Sequence, residues 1–393
     1  MELDSETLDW IDLNAKADAS ALRLKYAGDS QKSFAILQIE CRRKAATKLN
    51  ETLACREFIF PTSLSAEQCT SDILAHFHAS LVKGDSVLDM TAGLCIDAFN
   101  VAREVRHIIA IERNEILTEA AETNAEALGI NNIEIINADS VGWLQATDRR
   151  FDTIFIDPAR RGEGGKRIFA LSDCEPDVVE LLPLIRQKCS RLIVKASPML
   201  DISSVISSLG SETTIYITGS PTECKEVVAV VDFGSSAIPS INAVTLSSTV
   251  DSRFSFTEQE EREAIPSYSY PMAGMYLYEP YPAAMKSGGF SLMSSRFGAY
   301  KLDKNTHLYI SEKTIENFPG ERFRILEVHP FSKQVVKSFT EKYPEINIST
   351  RNFILKPTEL AKKLKIKEGG ILRLFAVKAL NELCLIITAP AAD

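Results

Sequence analysis

The sequence predicts an α/β fold built on a doubly wound, mostly parallel sheet, with a helical segment before it and small α+β domains after it. Two observations support this. From Lys83 onward, short apolar segments alternate with amphipathic ones, which is typical of repeated βα units. The chain also has 393 residues, and 45% of them are apolar, which is enough for more than one core. We therefore expect several domains.

The predicted elements follow this alternation along the chain. Residues 1–80 are rich in helix formers, and Ser65 with Gln68 three residues later predicts a capping box at a helix start. This segment is expected to be a helical module. Strands are predicted at the segments SVLDM, HIIAI, IEIIN, DTIFID, RLIVKA and TTIYIT.

The end of the sheet predicts an antiparallel hairpin. The segment TTIYITGSPTECKEVVAVVDF contains two strands with no room for a helix between them, so the last strand must run against its neighbour. A Ser-rich stretch after Gly234 indicates a boundary. We expect the sheet domain at 81–250, a small α+β domain at 251–320 and an α/β domain at 321–393 that ends in the hairpin ILRLFAVKALNELCLIITA.

The stretch VLDMTAGLCIDAFNVA has the strand, turn and helix pattern that usually receives a nucleotide-type cofactor. It carries one glycine, Gly93, flanked at two-residue spacing by Thr91 and Cys95. A nicotinamide cofactor is disfavoured, because the glycines that let a pyrophosphate approach a helix are missing. S-adenosylmethionine has no pyrophosphate, so a loop with one glycine is adequate for it.

Polar residues follow successive predicted strands, as expected if each strand end contacts a different part of S-adenosylmethionine. Glu112 is placed to accept hydrogen bonds from the ribose, and Asp139 from the adenine amine, while Ser140 is expected to cap the next helix. The alternative is a domain without a cofactor, since each residue alone is more often a cap or a turn. The predicted cofactor-binding residues are Asp89, Ala92, Gly93, Asp97, Glu112, Arg113, Asp139, Ser140 and Asp157.

The motif FIDPARRG follows the fourth strand and predicts the catalytic residues Asp157, Pro158 and Arg160. Asp157 can accept an amine hydrogen, Pro158 fixes the chain, and Arg160 could stack on a base or pair with a phosphate. The motif also resembles the DPPRxG of uracil C5-methyltransferases, which need a cysteine at the end of the next strand. That strand ends at Ser197, which favours direct methyl transfer to a nitrogen.

The motifs DMTAGLCIDAF and IDPARR, with FIFPTSLSAEQCTS before them and the C-terminal α/β extension, resemble the class I S-adenosylmethionine-dependent methyltransferases that have a ferredoxin-like insert and a THUMP-like domain. The resemblance covers essentially the whole chain. It implies a Rossmann-like class I methyltransferase sheet and that enzymatic activity. The first motif is also similar to that of a ribosomal-RNA guanine N2-methyltransferase, in which a second aspartate, here Asp97, follows the loop. Family members usually have glycine where Cys95 stands.

An RNA substrate, either rRNA or tRNA, is expected from a basic C-terminal segment. Residues 351–378 hold eight basic side chains against two acidic ones in a chain of net charge −9, which suits phosphate contact, while a solvated helix face is the alternative. In the N-terminal module, Phe60 is a candidate platform for stacking, with a core residue as its alternative. The predicted substrate-binding residues are Phe60, Pro61, Thr62, Lys356, Lys362, Lys363, Lys365, Lys367 and Arg373.

The remaining expectations concern metals, membranes and other functions. Eight cysteines without ligand spacing, and His76 and His78 on different helix faces, predict no metal site. No apolar run has the length of a membrane span and the first residues are acidic, which predicts a cytoplasmic chain without membrane contact. The oligomeric state stays open. The alternatives are a non-catalytic module that binds S-adenosylmethionine or RNA, and a methyltransferase acting on a small molecule or a protein.

Overall fold

The computed structural model describes residues 3–160 and 170–391, the side chain of Arg160 excepted. The chain divides into two compact units. The first comprises Met1–Ile215 with Glu226–Pro239, and the second comprises Tyr216–Lys225 with Ser240–Asp393. Within the described ranges, no helix is long and apolar enough to cross a membrane.

Helices occupy the described residues that precede the first strand. Their N-termini are capped by short polar side chains: the carboxylate of Asp4, for example, accepts a hydrogen bond of 2.8 Å from the backbone N–H of Thr7. Ile11, Ile36 and Ile39 are buried between the first helices. The helices are α1 (Ser5–Leu13), α2 (Ala19–Lys25), α3 (Ser30–Ala45), α4 (Ser63–Gln68) and α5 (Asp72–Leu81).

The capping box predicted at Ser65 lies elsewhere. Thr62 is the N-cap of α4, and its hydroxyl accepts a hydrogen bond of 3.0 Å from the N–H of Ser65. The helix ends at Gln68, and α5 begins after a second cap, Ser71. The prediction of one helix capped by Ser65 is therefore wrong. Residues 62, 65 and 71 all have hydroxyl side chains that can cap a helix, and Thr62 and Ser71 are the two that do, so the segment forms two helices.

The first unit contains the predicted doubly wound sheet. Its strands are β1 (Ser86–Asp89), β2 (His107–Glu112), β3 (Ile133–Asn137), β4 (Phe151–Ile156) and β7 (Cys189–Ala196), together with the parts of β8 (Thr213–Gly219) and β9 (Cys224–Asp232) outside residues 216–225. The short strands β5 (Ala159–Arg160) and β6 (Cys174–Glu175) form a separate antiparallel pair. The helices that alternate with the strands of the sheet are α6 (Ile96–Ala102), α7 (Glu115–Ala127), α8 (Ser140–Ala146), α9 (Val178–Lys188) and α10 (Ile202–Leu209).

The order of these strands creates a binding crevice. Strand β1 lies between β2 and β4, β3 follows β2, and β7 follows β4, all in parallel. Strand β9 runs antiparallel beside β7, and a turn from Ser220 to Glu223 joins β8 to β9, as expected for the closing hairpin. Because the chain turns outward in opposite directions from β1 and β4, their carboxyl ends border the crevice where ligands bind in such sheets.

The sheet is stabilised by apolar burial on both faces, which explains why its strands read as continuous apolar runs. Val87 and Leu88 in β1 and Ile109 in β2 are fully buried. Two polar residues break this pattern at strand ends: Asp89 closes β1 and Lys195 lies one residue before the end of β7, and both are buried. Since burying a charge is costly unless it is paired, these two positions indicate a polar site at the end of the sheet.

The second unit consists of an antiparallel strand pair and a sheet of order β12-β14-β15-β13-β16-β19-β18-β17. Its strands are β10 (Ile241–Leu246), β11 (Asp251–Phe256), β12 (Ser267–Tyr268), β13 (Tyr276–Pro280), β14 (Tyr300–Asp303), β15 (Thr306–Ser311), β16 (Gly320–Pro330), β17 (Asn347–Arg351), β18 (Arg373–Ala379) and β19 (Glu382–Pro390). Its helices are α11 (Glu258–Glu263), α12 (Pro282–Ser287), α13 (Phe290–Phe297), α14 (Lys333–Lys342) and α15 (Pro357–Leu364).

The predicted C-terminal elements are present, including the hairpin of β18 and β19. The two compact units divide between Pro239 and Ser240, within the Ser-rich stretch after Gly234 that was expected to be a boundary, and the same stretch contains β10. Ala243 and Val244 of that strand are buried, so small and branched side chains within the polar stretch are sufficient to form a packed strand.

Candidate functional site

A cavity of about 1120 Å³ lies at the carboxyl ends of β1, β2, β3 and β4. This volume is sufficient for a nucleoside-sized ligand and part of a second molecule. The cavity brings together most of the predicted cofactor residues, whereas Asp89 is 2% exposed and is not among its lining residues. Those that line it are Ala92, Gly93, Asp97, Glu112, Arg113, Asp139, Ser140 and Asp157.

The loop between β1 and α6 turns through two left-handed positions. Gly93 has φ +54° and Cys95 has φ +62°, and Cys95 is the N-cap residue of α6. A left-handed backbone is costly for a residue with a Cβ, yet the Cys95 side chain is fully buried and its packing offsets that cost. At the start of the loop, the carboxylate of Asp89 accepts a hydrogen bond of 2.9 Å from the N–H of Thr91.

Glu112 holds this loop through its carboxylate. One oxygen accepts a hydrogen bond from the N–H of Gly93 at 2.9 Å, and the other accepts one from the N–H of Asn114 at 2.8 Å. A carboxylate fixed by two backbone donors at the end of β2 keeps further lone pairs for a ligand. Its position is suitable for the predicted contact with a pair of vicinal hydroxyls.

Asp139, rather than Ser140, is the N-cap of α8. Its backbone is extended, and its carboxylate accepts a hydrogen bond of 2.7 Å from the N–H of Gly142. The prediction that Ser140 caps this helix is therefore wrong: Ser140 is already helical, so its hydroxyl is one position too late. Both residues line the cavity, and the role of Asp139 towards adenine stays a prediction.

Arg113 forms an ion pair with a residue of β6. Its guanidinium Nη1 lies 2.8 Å from the carboxylate of Glu175, which belongs to β6. The side chains are 65% and 51% exposed, so this pair is screened by solvent and contributes little to stability. Both residues line the cavity, so the pair links the residue that follows β2 to β6 within the cavity lining.

Asp157 lies just beyond β4 and carries one charged partner. Its backbone N–H donates to the hydroxyl of Thr91 at 2.6 Å, and its carboxylate Oδ2 lies 2.7 Å from Nζ of Lys195. The Asp157 side chain is 47% exposed, whereas that of Lys195 is 9% exposed. Asp157 therefore presents a carboxylate to the cavity while a buried ammonium group holds it from behind.

Lys195 is held in turn by groups from other elements. Its Nζ donates to the hydroxyl of Thr70 at 3.0 Å and lies 3.4 Å from Oδ2 of Asp97. The hydroxyl of Thr70 donates to the same carboxylate oxygen at 2.5 Å. Burial alone would lower the pKa of Lys195, but Asp157 and Asp97 outweigh it and raise that pKa well above its ordinary value. The ammonium group is therefore charged at neutral pH.

Behind Asp97, the ring of His78 is fully buried between two carboxylates. Nδ1 lies 2.7 Å from Asp97 and Nε2 lies 2.7 Å from Glu226. Burial alone would lower the pKa of His78, but Glu226 and Asp97 raise it to about 9. For Asp97, burial would raise the pKa, yet Lys195 and His78 hold it well below its usual range. The arrangement alternates negative and positive charges away from the cavity.

The pKa of Asp89 is raised, whereas that of Asp97 is lowered. Burial raises its pKa to about 8, and the hydrogen bond from the Thr91 N–H offsets only part of that effect. At neutral pH this carboxyl group is therefore mostly protonated, and it supports the loop as a neutral hydrogen-bonding group.

The sequence reasoning did not identify Thr70, His78, Lys195 or Glu226 as members of the site. One signal was available for Lys195, because RLIVKA is a buried strand and a lysine inside such a run requires a partner. For His78 and Glu226 no local signal existed, since they are 148 positions apart in the sequence.

Of the residues near the N-terminus that were predicted to contact the substrate, Phe60 is buried, and Pro61 and Thr62 are not among the residues that line the cavity. The ring of Phe60 is fully buried against Phe58, and its N–H donates to the side chain of Gln38 at 2.9 Å. Phe60 is thus part of the core in this structure, which is the alternative given for it, while Pro61 and Thr62 lead into α4. The same segment contributes other residues to the cavity lining, namely Leu64, Ser65, Gln68, Cys69 and Thr70.

Pro158 lines the cavity beside Asp157. The prediction for Arg160 concerns its side chain, which lies outside the described residues, and only its backbone, paired with that of Cys174, can be placed.

The basic C-terminal segment divides into exposed lysines and a paired arginine. Arg373 lies 3.2 Å from the carboxylate of Glu279, which also pairs with Arg351 at 2.5 Å, so these charges are partly neutralised. The ammonium group of Lys363 lies over the ring of Phe331. The exposed lysines of this segment are Lys356, Lys362, Lys363, Lys365 and Lys367.

Comparison with known proteins agrees with this architecture. The family described as conserved hypothetical protein 95 matches residues 53–167, a ferredoxin-like domain matches residues 276–319 and a THUMP domain-like family matches residues 320–390. The fold is of the class I methyltransferase type. Its particular form, with a ferredoxin-like and a THUMP-like domain after the sheet, is the one that the sequence motifs predicted, and the resemblance is confirmed.

A solved structure resembles the chain over its whole length. The crystal structure of a candidate methyltransferase from Porphyromonas gingivalis W83 is 29% identical, covers 100% of both chains and has a TM-score of 0.86. The complete domain combination of this protein is thus present in that structure.

Curated relatives match a shorter part of the chain. An uncharacterized RNA methyltransferase of Mycoplasma mobile is 31% identical over 98 residues, which is 25% of this chain and 24% of that protein. The 23S rRNA (uracil(1939)-C(5))-methyltransferase RlmD of Aeromonas hydrophila is 30% identical over 118 residues, 29% of this chain and 27% of that protein. The tRNA (uracil(54)-C(5))-methyltransferase of Pyrococcus horikoshii is 29% identical over 128 residues, 31% of this chain and 29% of that protein. The chain spans about a quarter of the length of these relatives.

Proposed function

We propose that this protein is an S-adenosylmethionine-dependent methyltransferase that modifies a base of structured RNA, rRNA or tRNA, by direct transfer to a nitrogen. The observation that carries the proposal is one cavity at successive strand ends, lined by Glu112, Asp139 and Asp157. A doubly wound sheet binds its ligand at this edge. The proposal includes a cytoplasmic location and the domain division 1–80, 81–250, 251–320 and 321–393.

Each carboxylate has a distinct role in this proposal. S-adenosylmethionine would supply the methyl group from its positively charged sulfur and leave as S-adenosylhomocysteine, while the methylated nitrogen would lose its proton to solvent. Glu112 would accept hydrogen bonds from its ribose, and Asp139 would face its adenine. Asp157 would accept a hydrogen bond from an N–H of the substrate base and so orient the nitrogen towards the methyl group. Orientation inside a site that excludes water is the main contribution an enzyme makes to such a transfer.

The choice of nitrogen over carbon rests on the thiols of the site. The RlmD and tRNA relatives are named as uracil C5-methyltransferases, and transfer to that carbon requires a thiolate nucleophile. Here β7 ends at Ala196 and is followed by Ser197. Among the described residues that line the cavity the cysteine is Cys69, and burial raises the pKa of its thiol. A thiol that resists ionisation is a poor nucleophile, which favours direct transfer.

The RNA assignment is supported by two further observations. Five lysines at 356–367 are exposed on the THUMP-like match, where they could contact phosphate. The names of the curated relatives refer to rRNA, tRNA or RNA. A small-molecule or protein substrate would leave this basic surface without a partner.

The proposal is tested by combining binding and turnover. Calorimetry with S-adenosylmethionine measures cofactor affinity, and the absence of binding would end the methyltransferase proposal. RNA from a strain lacking the protein is then incubated with the purified protein and labelled cofactor, and its nucleosides are analysed by mass spectrometry. A new methylated nucleoside supports the proposal, whereas cofactor and RNA binding without any methylation would favour a non-catalytic module.

Nitrogen and carbon transfer are separated with RNA that contains 5-fluorouridine, which traps the covalent intermediate of C5 transfer. We expect no protein–RNA adduct on denaturing gels, and turnover within about twofold of wild type for Cys69→Ala, because this thiol is not ionised. An adduct that forms with the wild type and disappears in Cys69→Ala would replace direct transfer by a covalent route.

A further inference from the structure

We propose that Lys195 is a positioning residue for Asp157, which holds one carboxylate oxygen and leaves the other directed at the substrate N–H. This inference rests on the proposed function and adds to it a residue that the sequence motifs do not contain. Its basis is the contact of 2.7 Å between Nζ of Lys195 and Oδ2 of Asp157.

The sheet itself fixes this contact. Strands β4 and β7 are parallel neighbours, and their register pairs Ile156 with Val194. The next residue in the chain is therefore Asp157 just after β4 and Lys195 within β7. Because Lys195 lies within β7 and Asp157 directly follows the last paired residue of β4, the ammonium group reaches the carboxylate without a long loop between them.

Lys195 is anchored more firmly than the residue it holds. Besides Asp157, its Nζ contacts Thr70 and Asp97, so three oxygen atoms lie within 3.4 Å of the ammonium nitrogen. The titratable groups that face it are Asp97 on α6, with His78 on α5 and Glu226 on β9 behind it, and Asp89 at the end of β1, which is mostly protonated at neutral pH. These contacts restrict the movement of the buried side chain.

Asp157 depends on Lys195 more than Asp97 does. Asp97 keeps His78 at 2.7 Å and Thr70 at 2.5 Å if the lysine is removed. Within the described residues, Lys195 is the only side chain paired with the carboxylate of Asp157, which is 47% exposed. Without the lysine, this carboxylate is free to rotate towards water, and the substrate loses its acceptor.

The experiment combines kinetics with crystallography on the full chain. The variants are Lys195→Met, Lys195→Arg, Asp157→Asn and the double variant Lys195→Met with Asp157→Asn. Lys83→Met serves as the matched control, since Lys83 also pairs with an aspartate, Asp232, at 3.1 Å but does not line the cavity. Turnover and KM are measured on RNA from the deletion strain, and cofactor affinity is measured by calorimetry.

We expect Lys195→Met to lower kcat by about tenfold or more while cofactor affinity and KM change less than about threefold, with partial recovery in Lys195→Arg. In the Asp157→Asn background, Lys195→Met should lower kcat by less than about twofold, because the two substitutions disrupt the same interaction. Equal losses in both backgrounds would assign Lys195 a structural role and overturn the inference. Lys83→Met should leave all these quantities unchanged.

Crystal structures of the wild type and of Lys195→Met decide the inference independently of turnover. We expect the carboxylate of Asp157 to leave its wild-type position in Lys195→Met and to keep it in Lys83→Met. An unmoved Asp157 overturns the positioning role even in an active enzyme. If the wild type binds cofactor but methylates no RNA, the proposed function fails, and the position of Asp157 still shows whether Lys195 holds it.

Discussion

The carboxylate of Glu112 and the backbone N–H of Gly93 are joined by a hydrogen bond of 2.9 Å across the loop that opens the cavity. The same carboxylate binds the N–H of Asn114 at 2.8 Å. The residue proposed to hold the cofactor ribose therefore also fixes the loop that would lie beside the cofactor. A substitution at this position should act on both the loop and the ligand.

Glu112→Ala should weaken S-adenosylmethionine binding by about 1.5–3 kcal/mol, because hydrogen bonds to a charged group have this value. Glu112→Gln, which keeps the shape and one acceptor, should lose less. Calorimetry checks both values. The control is Glu119→Ala on the exposed surface of α7, which should bind like the wild type. Unchanged affinity in Glu112→Ala would remove Glu112 from the cofactor site.

Asp157→Ala should cost at least about tenfold more kcat than Asp157→Asn, while the affinity for S-adenosylmethionine changes little. The reason is that the amide keeps an oxygen that can accept the substrate N–H, whereas alanine has none. Single-turnover methylation of RNA from the deletion strain, with cofactor binding measured in parallel, gives both quantities. If Asp157→Ala retains full activity, the carboxylate does not contact the acceptor.

Reversal of Lys362, Lys363 and Lys365 to Glu should reduce RNA affinity and flatten its dependence on salt. For every phosphate that the protein no longer neutralises, the slope of log K against log salt should become shallower by about 0.7–0.9. Fluorescence anisotropy at several salt concentrations measures both quantities. The control reverses three exposed lysines elsewhere, Lys16, Lys25 and Lys304, which changes the net charge equally. Equal effects of the two triple variants would show that overall charge, not a local surface, governs binding.

The raised pKa of His78 predicts that the free energy of unfolding decreases as the pH rises above neutral. Its pKa is about 9 in the folded protein against an ordinary value of 6.5, so its contribution is fully present below pH 6.5 and is lost as the pH rises through 9. A shift of this size corresponds to roughly 3 kcal/mol.

Urea unfolding between pH 6 and 10 measures this effect. The free energy of unfolding should fall with pH more steeply in the wild type than in His78→Gln. Ionisation of buried Asp89 adds a slope that both proteins share, since its pKa of about 8 lies above its ordinary value. His76→Gln, a change at an exposed histidine of the same helix, should retain the wild-type slope. If the free energy of unfolding depends on pH equally in the wild type and in His78→Gln, the ring of His78 is not charged in the folded protein.

The sheet and the cavity were predictable from sequence because both follow from local patterns. Apolar runs of strand length, a lone glycine after the first strand and polar residues such as Glu112 at strand ends place the cavity without any long-range information. The caps at Thr62 and Asp139 were less predictable, because neighbouring residues, Ser65 and Ser140, have equally suitable side chains. Which of them caps depends on the backbone angles that packing imposes.

The charged groups behind Asp157 were not predictable by the same reasoning. Lys195 and Glu226 come from different strands and His78 from a helix, and only their burial shows that each requires an opposite charge. The spacing of these residues in the sequence does not indicate that they are in contact. The rule that a polar residue inside an apolar strand needs a partner would have identified Lys195, although not its partner.

The left-handed backbone of Cys95 has a consequence for how quickly a ligand can bind. A glycine at this position would sample many conformations before binding, whereas a fully buried side chain restricts the loop to one. The loop is therefore preorganised, and a ligand loses little conformational entropy by binding beside it. Entry into the cavity, rather than ordering of this loop, should then limit the association rate.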